Sequence, residues 1–329
     1  MLLSICIPTY NRKDYLKQTI QSILSSVHAG NNQNIEICIS DNCSTDGTDI
    51  MINEIIATNP VCKIYYKRND SNIGADLNYL SVIQMANSEY CWFLGSDDII
   101  LPNGIDDVLK LTAGSGFDII LFSRINCTKD MEIKETEHFL KLDDNDKYYF
   151  NNQNDLFRYL RNARSLGAFF SYLSSIVFKK SKWDSVTYNP IFTGSAFSHA
   201  YMLLSFMQSG LILKYVYTPA VLNRGGNDSF LDAGKFNRAF LDLNGYVTLF
   251  RYFFTDPVKL KKGKNYLKRL SGFTYLFYVS LYASNDEEWT KIENLSLYIG
   301  HSKFKLRLIK KMKPVGFVLR SIYRIKKLI

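Results

Sequence analysis

Short apolar runs alternate with amphipathic stretches along the first 125 residues of this 329-residue chain. LLSICIP (2–8) has the continuous apolar character of a buried strand, and DYLKQTIQSIL (14–24) the spacing of a helix that turns Tyr15, Ile20, Ile23 and Leu24 inward. IEICIS (35–40) predicts a second strand, ahead of a polar loop and a helix near 48–58. KIYYKR (63–68) predicts a third strand and ADLNYLSVIQMA (75–86) the helix after it. YCWFLG (90–95), a fourth strand, stops at Ser96-Asp97-Asp98, and a helix over 103–112 and a strand at FDIILF (117–122) follow. Apolar strands separated by helices of about ten residues make βαβ units, so the expected fold is α/β: a Rossmann-like, mostly parallel sheet with helices on both faces.

The pattern then changes. Residues 124–165 are polar and irregular, with an acidic run at 143–146, and read as a connecting or lid region. FFSYLSSIVFKK (169–180) returns to strand character, and from about 196 the periodicity is helical, broken by the turn-rich RGGNDSF at 224–230. The expected organisation is a core over 1–230 in two halves, 1–125 and 126–230. A helical C-terminal extension covers 231–329, in which Pro314 separates two basic amphipathic segments.

Composition adds a location and removes a partner. With 47% hydrophobic residues the chain has ample material for a packed core. Its net charge of +9 is unevenly placed: residues 301–329 hold ten of the 40 Lys and Arg and none of the 31 Asp and Glu, so residues 1–300 sum to −1. A neutral body with one basic end argues against nucleic acid as a partner and for a local contact with something anionic. Cys6, Cys38, Cys43, Cys62, Cys91 and Cys127 form no C-x-x-C pair and read as reduced small hydrophobes, which suits a reducing compartment. The N-terminal MLLSICIPTYNRK lacks the marks of a signal peptide, and the most apolar stretch, 273–283, is shorter than the ~20 residues a span needs. A cytoplasmic protein, soluble or peripheral on a membrane, is expected.

In an open parallel sheet, ligands bind beyond the carboxyl ends of the strands. Here those ends are 8–12, 40–48, 68–74 and 95–98, all rich in polar and turn-forming residues. Asp97 and Asp98 close an apolar strand at that edge, where carboxylates together with diphosphate oxygens hold Mg²⁺ or Mn²⁺. A pair of acids ahead of a helix is ordinary by itself. Asn11, after Pro8-Thr9-Tyr10, has the place of a helix N-cap. Asp41, at the end of the second strand, is placed to accept hydrogen bonds from a base or ribose, and residues 42–47 make a tight polar loop.

In this order and spacing, CIPTYNR, ISDNCSTDGT, RNDSNIGADLNY and YCWFLGSDD resemble the N-terminal half of the GT-A fold glycosyltransferases of family two. The resemblance makes 1–125 the nucleotide-binding half and 126–230 the acceptor half, and implies Pro8, Thr9, Tyr10, Arg12, Asp41, Asn72 and Gly74 around the nucleotide of a nucleotide-sugar donor. It further implies Ser96, Asp97 and Asp98 at the diphosphate, with a divalent metal (Mg²⁺ or Mn²⁺) on Asp97 and Asp98 and Asp97 its direct ligand. The family's Asp-x-Asp-Asp reads Gly95-Ser96-Asp97-Asp98 here, so the first carboxylate is missing.

Further along, FFSYLSSIVFKKSKWDS, GSAFSHAYMLLS and NRGGNDSF resemble the O-antigen abequosyltransferases and their relatives. Implied is inverting transfer of a 3,6-dideoxyhexose from a CDP-sugar to a lipid-linked oligosaccharide acceptor. A same-fold transferase using UDP- or dTDP-hexose, and a non-catalytic nucleotide-sugar-binding assembly protein, are the alternatives. Where the family commonly has an acid at a helix start, Ser198-His199 stands here. An imidazole takes a hydroxyl proton near neutral pH, so His199 is the expected base, and His199→Ala is expected to lose transfer but keep donor binding. A histidine satisfied in the core is the plainer reading. Asp228 is the rival base; Arg224 and Asn227 are expected to steady the diphosphate or acceptor, and Tyr172, Ser174 and Ser175 to line the acceptor side from a strand. The tail carries Phe304, Leu306, Leu308 and Ile309, then Phe317, Val318, Tyr323, Ile325 and Leu328, among Lys and Arg at helical spacing. That pattern predicts contact with the cytoplasmic face of the inner membrane.

Overall fold

β1 (Leu3–Thr9) and β2 (Ile35–Asp41) are buried at every residue, as apolar strands covered on both faces are. β1 pairs in parallel with β2 on one side and with β4 (Tyr90–Phe93) on the other, and β2 pairs in parallel with β3 (Lys63–Arg68). The connecting helices are α1 (Lys13–Ser25), α2 (Thr48–Thr58) and α3 (Ala75–Gln84). Leu16, Ile20 and Ile23 form the buried face of α1, each contributing about 2 kcal/mol on leaving water. Tyr15 and Leu24 are half-buried. Strand addition proceeds from β1 outward to β3, then jumps to the other side of β1 for β4. That reversal is a topological switch point, and it opens a crevice outside the carboxyl ends of β1 and β4.

The computed structural model describes residues 1–114, 116–141, 147–151, 153–206, 208, 210–228, 230 and 234–326, with backbone alone for 153, 315 and 317–326. The acidic run at 143–146 and the tail side chains after Pro314 lie outside the described residues.

Beyond β4 the large sheet becomes mixed. β10 (Ile176–Lys179) runs antiparallel between β4 and β6 (Ile119–Phe122). β11 (Leu211–Val216) and β9 (Lys147–Phe150) complete an 8-stranded sheet of order β3-β2-β1-β4-β10-β6-β11-β9. A 4-stranded sheet joins β5 (Ile99–Ile100), β12 (Val221–Arg224), β7 (Arg124–Cys127) and β8 (Ile133–Glu137) in that order. α4 (Gly104–Thr112), α5 (Gln153–Asn162), α6 (Lys180–Asp184) and α7 (Ser198–Phe206) accompany the sheets.

Three expectations change. Residues 124–165, read as irregular, carry β7, β8, β9 and α5; β8 is IKETE and almost wholly exposed, so no apolar face announces it. The stretch 169–180 is strand only at 176–179, because Leu166–Phe169 and Leu173–Ser175 are 3-10 turns. After α7 the chain turns at Gly210 (φ 80) into β11, whose LILKYV alternates buried and half-buried positions as a strand should.

The chain forms two compact units, Met1–Asn227 and Asp228–Ile329. The second is helical throughout its described residues, with α8 (Lys235–Phe253), α9 (Pro257–Leu270), α10 (Phe273–Ser280), α11 (Asp286–Ile299) and α12 (Lys303–Lys326). Phe236, Leu276, Trp289, Ile292, Leu306 and Ile309 lie in its core. Asp256 caps α9 at Lys259 N (2.9 Å) and Asn285 caps α11 at Glu288 N (2.9 Å). α12 runs through Pro314 as one helix instead of two segments. Leu306 and Ile309, read as membrane-facing, are buried, whereas Phe304 and Leu308 are exposed. Among the described residues no helix is long and apolar enough to cross a membrane.

Candidate active site

Residues 10–12 leave β1 through a turn in which Asn11 takes φ 49, a left-handed conformation that asparagine tolerates. Its N–H donates to Ser44 Oγ and its Oδ1 accepts from Thr45 N, both at 2.8 Å. Asn11 therefore does not cap α1 as expected. Asp46, from the neighbouring loop, accepts from Lys13 N at 2.9 Å at the start of α1 and from Thr48 Oγ1 at 2.6 Å at the start of α2. One carboxylate thus serves two helix starts, where negative charge is favoured.

Asp41 is fully buried: Oδ1 accepts from Ser44 N (2.9 Å) and Ser44 Oγ (2.5 Å), and Oδ2 from Tyr66 O–H (2.7 Å). Direct contact with base or ribose was expected of it, but both oxygens are engaged within the protein and shape the 42–47 loop. Asn42 Nδ2 donates to Asn72 Oδ1 at 2.8 Å, and Asn72 Oδ1 also accepts from Gly74 N at 2.9 Å. Gly74, with φ 84 and ψ 160, opens α3 in a conformation reserved for glycine. Asn78, unforeseen in the sequence, accepts from Ser40 Oγ (2.7 Å) and donates to Ser40 O (3.0 Å), tying α3 to the end of β2. Tyr10 stands exposed on this laced rim, while Pro8 and Thr9 are buried beneath it. Thr9 Oγ1 is buried and has no hydrogen-bond partner among the described residues.

At the end of β4 two adjacent aspartates are used in opposite ways. Asp97 stays at the rim, its side chain 15% exposed, paired through Oδ2 with Arg12 Nη1 at 2.8 Å and accepting from Asn227 Nδ2 at 3.0 Å. Arg12 Nη2 also donates to the main-chain carbonyl of Asn227 at 2.5 Å, closing a ring of three residues. Asp98 is buried: Oδ1 accepts from Arg224 N (3.1 Å), and Oδ2 from Tyr172 O–H (2.8 Å) and Ser174 Oγ (2.5 Å). Burial, then the charge of Asp97, raise its carboxyl to about 7 against the pull of those three hydrogen bonds. Asp98 thus turns inward onto three protein donors, whereas a second metal ligand was expected beside Asp97 at the rim. Tyr172 and Ser174, expected to line the acceptor side from a strand, sit at a 3-10 turn and hold Asp98 instead. Ser175 is buried behind them.

Gly95 explains the missing family acid. A Cβ there would lie 2.8 Å from Asp98 Oδ2 and 3.3 Å from Asp97 Oδ1 and Ser174 Oγ, so the inward Asp98 occupies the space a side chain would need. Ser96 is buried in the same turn. Arg224 donates through Nε to Asp97 O (2.9 Å), Nη1 to Lys129 O (2.7 Å) and Nη2 to Gln18 Oε1 (2.7 Å), with its guanidinium 5.0 Å from the Tyr15 ring centroid. It braces the loop; the diphosphate contact expected of it would require giving up these bonds.

His199 begins α7 and is buried. Its Nε2 donates to Phe170 O at 2.8 Å, which leaves Nδ1 as the lone-pair nitrogen, buried and without a hydrogen-bond partner among the described residues. Burial drives its pKa down to about 4, although the Asp76 charge raises it. An imidazole so weakly basic and shut away from solvent is poorly placed for the proton-accepting role expected of it. The acid at this helix start comes from elsewhere: Asp76 of α3 accepts from Ala196 N and Ser198 N, both at 3.0 Å. Asp228, the rival base, belongs to the second unit, where it is ion-paired with Arg238 and accepts from Phe230 N at 2.9 Å.

This arrangement of a switch-point crevice, a laced polar rim and one outward carboxylate has a counterpart among known sequences: residues 4–181 match the profile of glycosyl transferase family 2. The chain belongs to glycosyltransferase family 2. The transferase is 34% identical over 329 residues to the abequosyltransferase RfbV of Salmonella typhimurium, covering 99% of this chain and 98% of that one. S. aureus TarS 1–349, solved with UDP, shares its fold with a TM-score of 0.59 at 12% identity, over 96% of this chain and 92% of that one. The mannosyltransferase PcManGT from Pyrobaculum calidifontis, solved with GDP-Man and Mn²⁺, gives a TM-score of 0.55 at 13% identity, over 98% and 82%. The expected mixed α/β GT-A architecture and the assignment as a nucleotide-sugar glycosyltransferase are both met. Among the described residues no three His, Cys, Asp or Glu side chains form a ready metal cluster. Asp97 alone faces outward, which fits a Mg²⁺ or Mn²⁺ that takes one protein carboxylate and completes its shell with diphosphate and water oxygens.

Proposed function

We propose that the transferase moves a 3,6-dideoxyhexose such as abequose from a CDP-sugar to a lipid-linked O-antigen oligosaccharide, with inversion, at the cytoplasmic face of the inner membrane. The observation that carries this reading is the end-to-end likeness, at 34% identity, to an abequosyltransferase. Gly95 adds support: a donor sugar with two hydroxyls fewer needs fewer polar partners, and this site has given up one acid.

As the anomeric C–O bond breaks, charge gathers on the departing diphosphate, and a divalent cation on Asp97 would neutralise it. Arg12, now on Asp97 at 2.8 Å, is the neighbouring cation able to turn to a phosphate oxygen when the diphosphate arrives. Asn227 keeps its amide on Asp97 and fixes the orientation of the carboxylate. Tyr10 offers an exposed ring to the base, while Thr9 and the Asn72–Gly74 loop border the nucleotide. His199 orients the turn at Phe170, and Asp228 fixes Arg238; both are positioning residues in this reading.

The test is release of CDP from a CDP-linked 3,6-dideoxyhexose in the presence of a lipid-linked acceptor. Release should require acceptor and Mg²⁺ or Mn²⁺, and should fall about 100-fold or more in Asp97→Asn. Faster turnover of UDP- or dTDP-hexose would sink the donor assignment, and wild-type turnover in Asp97→Asn the cation site.

A further inference from the structure

One face of the helical unit gathers cations. Arg251 of α8 holds its guanidinium carbon 4.0 Å from the ring centroid of Tyr298, and Lys264 of α9 its ammonium 3.7 Å from the same ring. One turn along α9, Lys268 acts on His301, as does Lys305, whose Nζ stands 3.2 Å from His301 Nδ1. His301 is 3% exposed, and its Nε2 lies 3.2 Å from Ser271 Oγ. An ammonium can only donate, so Nδ1 accepts, and the ring stays neutral between two lysines. Elsewhere in the unit Lys291 and Lys310 find Glu287 and Asp286 at 2.8 Å. Among the described residues Arg251, Lys264, Lys268 and Lys305 have no carboxylate partner.

α12 begins at this place with Lys303-Phe304-Lys305 and no acid in its first turn. A helix start favours negative charge, so these lysines stand against the dipole as well as against each other. Like charges assembled in this way await an anion. The apolar neighbours say which kind: Phe304, between the two lysines, is 78% exposed, and Leu308, one turn on, is 42% exposed. Cations beside exposed apolar side chains match an amphiphile with an anionic head.

We propose that Lys268 and Lys305, with Arg251 and Lys264 beside them, bind the phosphate headgroup of an anionic phospholipid while Phe304 and Leu308 enter its acyl region. The site deepens the membrane contact of the proposed function, on which it rests, and puts that contact at the start of α12 and the facing part of α9 instead of beyond Pro314.

The test is flotation of the full-length protein with phosphatidylcholine vesicles, with and without phosphatidylglycerol. Binding should require phosphatidylglycerol. It should fall about 30-fold in Lys268→Gln/Lys305→Gln, two lysines at a factor of about 5 each. Lys326→Gln/Lys327→Gln, which removes the same charge from the tail end, should stay close to wild type. Lys268→Glu alone, at an exposed position, keeps the test valid if the double variant folds poorly, and an unchanged unfolding midpoint certifies the fold. Equal binding by wild type and the cluster variants, or equal loss in both lysine pairs, overturns the site and leaves membrane contact standing. No vesicle binding by wild type overturns both. Stabilisation by inorganic pyrophosphate without vesicle binding makes this a free-phosphate site and overturns the lipid assignment.

Discussion

Asp97 and Asp98 are neighbours in the chain and differ in everything chemical: one rim carboxylate paired with Arg12, one buried carboxyl pushed up to about 7. Asp97→Asn should therefore leave the unfolding midpoint almost unchanged while removing metal-dependent nucleotide binding, which calorimetric titration of CDP with and without Mn²⁺ will read. Gly95→Ala should do the reverse. Its Cβ meets Asp98 Oδ2 at 2.8 Å, so overpacking of about 1–3 kcal/mol is expected in urea unfolding. His199 makes a pH prediction. Its folded pKa, about 4, lies below the ordinary 6.5, so the folded chain holds fewer protons than the unfolded one between those values. Stability is full above 6.5 and falls as pH drops toward 4, by roughly 3 kcal/mol at most. Urea midpoints across that window should fall less steeply in His199→Gln, with His301 still contributing in the same direction. Wild-type steepness in that variant would contradict the burial account. At this scale the sequence marks Asp97 and Arg12, because they sit at strand ends. It hides the inward turn of Asp98, which depends on Tyr172, Ser174 and Arg224 far along the chain.

The helices around the crevice are started by carboxylates borrowed from other elements. Asp46 serves α1 and α2, and Asp76 of α3 serves α7. Asp76→Ala should destabilise the chain by about 1–2 kcal/mol through loss of a cap, measured by chemical unfolding, and should disturb the turn that holds His199. A change within a few tenths of a kcal/mol would mean that water satisfies those N–H groups equally well. Local pattern was legible where an element buries a full face: β1, β2, β4 and α1 follow directly from their apolar spacing. It failed where pairing alone makes the strand. β8 has no apolar face to show, and β11 was obscured by the helix before it, although LILKYV does alternate. Non-local caps leave no mark in local spacing, so Asn11 took the role in the sequence reading that Asp46 fills.

For the whole molecule, the βαβ order places four polar strand ends at one edge of the large sheet, and the switch point between β1 and β4 brings Arg12 to Asp97. The basic end of the chain belongs to a separate helical unit, where burial divides its described apolar residues, Leu306 and Ile309 in the core and Phe304 and Leu308 exposed. This division could not be read from helical spacing, since Leu306 and Leu308 look alike in a sequence. The proposed reaction depends above all on a CDP-sugar site built on Asp97. Its most direct test is a thermal-shift panel of CDP, UDP, GDP and dTDP, each with and without Mn²⁺, on wild type and Asp97→Ala. CDP with Mn²⁺ should stabilise the wild type above the other nucleotides, by about 2.7 kcal/mol at a hundred times its dissociation constant, and should fail on Asp97→Ala. A preference for UDP or dTDP, or an equal response in Asp97→Ala, would contradict the account.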